Sequence, residues 1–230
     1  MRVLKALKSV VKSRKIVKKP SNERLQKHES TQLSKSDLES MLANSYLPNS
    51  ENGSVSNYSL DPTLSDDRVK TYYDPVTNHT VIAHRGSAEK QDWIENAMYS
   101  VGIKGGKNYK HSREMQKKIE SKYGSENLTT IGHSKGALHA QEFGQKGDIV
   151  TLNKPVNVRD ALHYKVPKYQ TDYRGEGDVV SALRPFQGGK KEIVLKDETK
   201  SRGSKLKKKI LHPINSILKE HETKTLSRSS

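Results

Sequence analysis

Apolar positions along this chain come in short bursts separated by long polar stretches. Residues 69–73 and 80–83 are β-prone runs flanked by the turn signals Asp74-Pro75 and Thr77-Asn78, which predict a β-hairpin over 66–84. Residues 126–131 predict a strand ending in Ile131. Ala137 to Phe143 are good helix formers, closed by Gly144. Two further segments, 89–99 and 112–123, read as helices on a sheet face. Residues 168–173 read as a strand leading into the loop Arg174-Gly175-Glu176-Gly177-Asp178, and 192–195 as a last short strand. Strands alternating with helices predict an α/β fold built on a mostly parallel sheet.

The ends of the chain follow another pattern. Residues 1–20 carry Arg2, Lys5, Lys8, Lys12, Arg14, Lys15, Lys18 and Lys19 and no acid. Val3, Leu4, Leu7, Val10, Val11 and Val17 recur at helical spacing, with lysines on the opposite side, and Pro20 stops the run. Such a basic amphipathic segment can lie on an anionic membrane or bind phosphates; a solvated tail is the alternative. Residues 21–65 are rich in Ser and Asn and read as a polar, largely disordered linker, with a short helix predicted over 36–43. Residues 66–220 form the predicted folded domain, and 221–230 a frayed tail. Within 196–209 lies the basic run Lys205-Leu206-Lys207-Lys208-Lys209, which is either a solvated surface or a rim for polyanions.

Composition sharpens this division. A net charge of +16 with only 31% hydrophobic residues does not fit one compact domain over 230 residues, and it favours disorder in part of the chain. There is no cysteine, so disulfide and thiolate chemistry are excluded. No apolar run approaches the ~20 residues of a membrane span. Lysines also interrupt the N-terminus before a signal-peptide core can form. Peripheral attachment to a membrane is the expectation these features leave.

The candidate chemistry sits at Gly132-His133-Ser134-Lys135-Gly136, between the predicted strand and the predicted helix. G-x-S-x-G in that context is a nucleophile elbow: glycines on either side allow a sharp turn that lifts the serine oxygen off the sheet. A triad on such a fold runs Ser, then Asp or Glu, then His along the chain. The acidic candidates are Asp160, Asp172, Glu176, Asp178, Asp197 and Glu198; the later histidines are His163, His212 and His221. Asp178 stands out on the loop after a predicted strand, where a carboxylate can orient an imidazole. His212 precedes Pro213 at the entry to an apolar-periodic stretch and can reach across to the serine. His163 would break the chain order, and His221 is the reserve base.

Four ordered blocks carry a resemblance to a known family. Val81-Ile82-Ala83-His84-Arg85-Gly86-Ser87 with Gln91-Asp92-Trp93-Ile94, the elbow Thr130 to Ala137, the stretch Ile149 to Asn157, and Gly177-Asp178-Val179-Val180 together resemble the class 3 lipases. The resemblance spans about residues 69–220 and implies a small α/β-hydrolase acting on acylglycerols and related esters. It implies Ser134 as nucleophile, Asp178 as orienting acid and His212 as general base. Ser87 and the backbone N–H of Lys135 would form the oxyanion hole. The chain departs from the family pattern in four places. His84 stands for an aromatic residue, Lys135 for an apolar one, Gly136 alone for the second glycine pair of the elbow, and the glycine-rich, basic stretch from Val101 to Tyr109 for an apolar lid. Small lipase-like domains on basic tails also resemble accessory proteins of some DNA viruses, which brings in the virion as a location.

No cofactor and no metal site is expected: the histidines are scattered without ligand spacing, and Gly-Gly-Lys lacks the first glycine of a phosphate loop. A lipid ester is the expected substrate and an anionic membrane surface the expected partner, with nucleic acid a second partner for the basic ends. The competing function is a basic nucleic-acid- or capsid-associated binding protein with a relic hydrolase core.

Overall fold

The computed structural model describes residues 33–87, 99, 104–175, 185, 187, 188 and 191–195. The chain divides into the units Met1–Gln32 and Leu33–Ser230, and every described residue belongs to the second. The predicted basic helix over 1–20, the 196–209 basic run and the 221–230 tail lie outside the described residues, as does the predicted 89–99 helix apart from Tyr99.

A single seven-stranded sheet organises the described residues, with the strands in sequence order: β1 (Ser59–Leu60), β2 (Val69–Asp74), β3 (His79–His84), β4 (Leu128–His133), β5 (Asp148–Leu152), β6 (Gln170–Gly175) and β7 (Lys191–Leu195). The first three pair antiparallel and the last five run parallel. The α/β class and mostly parallel sheet read from the sequence are therefore those of the molecule. Val69 pairs with His84 and Asp74 with His79, which is the predicted hairpin extended by a residue or two at its ends.

Helices cover both faces, as a parallel sheet requires. On one face, Met41 and Leu42 of α1 (Lys35–Asn44) join Val55, Tyr72, Val81, Ala83, Ile131 and Leu152 in one apolar cluster. On the other, Met115 and Ile119 of α2 (Lys107–Tyr123) pack on Val69, Ile82 and Leu128. Strand alternation divides the residues: Val81 and Ala83 point to α1, Ile82 to α2. Two more helices lie among the described residues, α3 (Lys135–Phe143) after β4 and the short α4 (Val158–His163) after β5.

The linker expected over 21–65 does not hold for residues 33–65. Ser34 caps α1, its hydroxyl accepting the Asp37 N–H, and Met41 and Leu42 are fully buried. Asn52 ties the following turn by donating to the carbonyls of Asn44, Leu47 and Pro48. The buried Lys70 ammonium donates to Asn49 Oδ1 and the Asp66 carbonyl, both at 2.7 Å. This stretch is polar in composition because Leu38, Met41, Leu42 and Ala43 alone of its helix meet the core, with the sheet supplying the remaining apolar surface. Leu42→Ala should lower unfolding free energy by about 2–4 kcal/mol in urea titration, the cost of emptying a fully buried leucine site; a loss under about 0.5 kcal/mol would mean that α1 does not belong to the core.

Candidate active site

Parallel strands β3 to β7 bring their carboxyl ends to one edge of the sheet, and Ser134 sits there between β4 and α3. Its backbone is at φ 53° and ψ −125°, a corner that glycine normally occupies. Two glycines force this turn. A Cβ on Gly132 would lie 2.2 Å from the Gly136 carbonyl oxygen, and one on Gly136 would lie 2.0 Å from the His84 carbonyl oxygen. The turn is held by Ser134 N–H donating to the Leu152 carbonyl at 3.0 Å and Ala137 N–H donating to the Ser134 carbonyl at 2.9 Å.

A serine at the start of a helix ordinarily turns its hydroxyl onto the first-turn N–H groups. Here the left-handed φ prevents it, and Ser134 makes no side-chain cap to α3. Ser134 is half-buried, and its neighbours His133 and Lys135 are buried. The first N–H groups of α3, beginning with Lys135, lie at this end, where the helix dipole concentrates partial positive charge. Lys135 stands where the resemblance puts an apolar residue, and it is buried as an apolar residue would be.

The loop after β3 closes the site from the neighbouring strand. A Cβ on Gly86 would approach Ser134 Cβ to 3.3 Å and the His133 carbonyl oxygen to 2.8 Å, so Gly86-Ser87 packs against the serine turn. The two segments assigned to the oxyanion hole, Ser87 and Lys135, are thus brought to the same edge beside Ser134. His84, which stands where an aromatic ring was expected, behaves as one. Burial pushes its imidazole down to about 4, so it is neutral at pH 7 and its Nε2–H donates to Gln116 Oε1 at 3.0 Å. The ring meets Phe143 and His139 edge-on, with centroids 6.1 and 5.9 Å apart.

Asp178, His212 and His221 lie outside the described residues, as do Glu176, Asp197 and Glu198. What is described is the strand that leads to Asp178. β6 lies two strands from β4 and ends at Gly175, whose N–H donates to Asn153 Oδ1 at 2.9 Å. Asn153, itself at φ 49°, also donates its N–H to the Tyr173 carbonyl, so it fixes the exit of β6 against that of β5. The remaining acidic candidates are engaged elsewhere. Asp172 is buried, accepting from Thr151 and from Gln170 (2.6 Å), with the buried Lys154 ammonium 3.4 Å away. Lys154 also donates to Gln141 and Gln187, completing a polar cluster beneath α3. Asp160 accepts from Tyr99 at 2.7 Å and lies 3.4 Å from Lys104. His163 is exposed at the end of α4.

One residue at the site was not visible in the sequence. Tyr46, in the stretch read as linker, is buried with its hydroxyl 2.8 Å from His133 Nδ1 and accepting the Gly86 N–H at 3.2 Å. No local signal marks it, because both contacts span long sequence separations. Among the described residues, no cluster of His, Asp or Glu is arranged to hold a metal ion, and no helix is long and apolar enough to cross a membrane.

No protein-family model matches the chain, and no curated protein matches it in sequence. Solved structures of lipases resemble it at low identity. The Lip2 lipase of Yarrowia lipolytica is 15% identical over 75% of this chain and 80% of its own, with a TM-score of 0.42. The Rhizomucor miehei lipase propeptide complex is 15% identical over 79% of this chain and 71% of its own, at 0.44. A triacylglycerol lipase of Penicillium expansum is 13% identical over 70% and 77%, at 0.41.

The strain at Ser134 has a measurable consequence. Relative to Ser134→Ala, Ser134→Gly should be more stable by about 1 kcal/mol in chemical denaturation, since glycine relieves a left-handed φ whose cost is about 1–3 kcal/mol and gives back part of that in unfolded-state entropy. Equal stability of the two variants would mean that the turn is not strained.

Proposed function

We propose that this chain is a serine hydrolase that cleaves carboxylic esters of lipids, glycerolipid or phospholipid, through an acyl-Ser134 intermediate. The observation that carries the reading is the backbone of Ser134, held at φ 53° by Gly132 and Gly136 with its hydroxyl withheld from the helix cap. An uncommitted strained serine at a helix N-terminus, with a second loop packed beside it, is what acyl transfer needs: an accessible nucleophile and donors for the oxyanion.

In the proposed reaction His212 takes the Ser134 proton as the hydroxyl oxygen attacks the ester carbonyl. The oxyanion is met by the Lys135 N–H and by Ser87. Collapse expels the alcohol, which receives the proton from His212, and water then reverses the sequence to release the acid. Asp178 holds the imidazole in the productive tautomer. Support for Asp178 is the direction of β6, which runs parallel to β4 and ends at Gly175, three residues before Asp178, at the same sheet edge as Ser134. The basic segments 1–20 and 196–209 would hold the protein on an anionic bilayer. The basic, glycine-rich stretch from Val101 to Tyr109 in place of an apolar lid fits an enzyme that needs no lipid interface for activity on small esters.

Hydrolysis of p-nitrophenyl butyrate tests the assignment. Ser134→Ala and His212→Gln should each lose roughly a thousand-fold or more in kcat, Asp178→Asn roughly a hundred- to ten-thousand-fold, and His221→Gln little. Loss in His221→Gln in place of His212→Gln would move the base to His221. Absence of hydrolysis by folded wild-type protein would overturn the enzymatic reading and leave salt-sensitive polyanion binding by the basic ends as the function.

A further inference from the structure

Three segments distant in the chain meet at one oxygen atom, the hydroxyl of Tyr46. It lies 2.8 Å from Nδ1 of His133, the residue immediately before the nucleophile, and accepts the N–H of Gly86, immediately before Ser87, at 3.2 Å. The approach is close: a Cβ on Gly86 would stand 2.3 Å from this hydroxyl. Tyr46 itself is only 3% exposed, and its ring meets that of His133 edge-on at 6.1 Å.

We infer that Tyr46 is a positioning residue for ester cleavage, whose hydroxyl pins the Gly86-Ser87 loop to the Ser134 turn and so sets the oxyanion donors before substrate arrives. The inference rests on the serine-hydrolase reading above and adds a residue to it. The shared oxygen carries the argument. Gly86 N–H can only donate, so the phenol oxygen accepts there, and the same oxygen is hydrogen-bonded to His133 Nδ1 in the direction the imidazole tautomer sets. Gly86 N–H is consequently spent inside the protein, and Ser87 is the donor that the hydrolase reading assigns to this loop. Both partners are covalent neighbours of the machinery: His133 fixes the strand end that carries Ser134, and Gly86 fixes the loop that carries Ser87. A donor aimed at a developing charge acts only if its place is set in advance, and a displacement of about 1 Å costs roughly a hundred-fold in rate. The Tyr46 hydroxyl spans the two.

A phenylalanine at this position keeps the ring and its packing and removes only the oxygen. In the full-length protein, Tyr46→Phe should lower kcat on p-nitrophenyl butyrate by roughly ten- to hundred-fold with KM within about twofold, and slow phosphonylation by a fluorophosphonate in proportion. His133→Phe removes the other end of the bond. Because both act through one link, the double variant should lose no more than Tyr46→Phe alone. Near-UV circular dichroism and the urea midpoint give the folded fraction of each variant. A kcat for Tyr46→Phe within twofold of wild type would overturn the inference, as would losses that follow the folded fraction or multiply in the double variant. In each of those cases wild-type turnover that depends on Ser134 leaves the hydrolase reading standing. Wild-type protein without such turnover removes both.

Discussion

The contact between the Gly136 backbone and the last carbonyl of β3 sets the geometry of everything around Ser134. With a Cβ at Gly136 only 2.0 Å from the His84 oxygen, helix α3 lies against the end of the neighbouring strand as closely as backbone allows. That closeness fixes the angle at which β4 turns into α3, and the turn in turn fixes the left-handed backbone of Ser134. Strain of this kind persists only where the surroundings over-determine it. Here the surroundings are five parallel strands, the Leu152 carbonyl that takes the Ser134 N–H, and the Gly86 loop pressed against Ser134 Cβ.

Around that turn the protein divides its buried polar groups by role. Beneath α3, Lys154, Asp172, Gln141, Gln170, Gln187 and Thr151 hydrogen-bond to one another and bind helix to strands β5 and β6. A buried ion pair adds little net stability over an apolar pair, but breaking it by removing one partner is costly. Such a network therefore holds one arrangement of α3 over the sheet. On the opposite face His133 is tied to Tyr46, and on the α2 face His84 is kept neutral by burial and bound to Gln116. Of these groups only Asp172 is an acidic candidate by sequence, and the network engages its carboxylate; the others restrain segments around Ser134.

What was legible in the sequence follows from the range over which each feature is encoded. The hairpin, the strand before Ser134 and the helix after it declare themselves through local periodicity and through Gly132, Gly136 and Gly144. The place of Gly86-Ser87 beside the serine was legible only through the resemblance of the blocks around it. Within residues 33–65 the short helix over 36–43 was legible and is α1 (Lys35–Asn44), but its place in the core was not, because composition is a poor guide to order where a helix needs only one apolar edge and a sheet supplies the rest. Tyr46 could not be found for a related reason: its partners, Gly86 and His133, are neighbours in space and not in sequence. Sequence order and the register of β6 are the grounds on which Asp178 rests, and His212 rests on chain order and its position before Pro213.

The central claim is that Ser134 is an activated nucleophile, and the most direct measurement is covalent capture. Folded full-length protein treated with a fluorophosphonate and analysed by intact and peptide mass spectrometry should gain one phosphonyl group, on Ser134, with no gain in Ser134→Ala. Labelling spread over several serines, or none at all in protein that is demonstrably folded, would contradict the account.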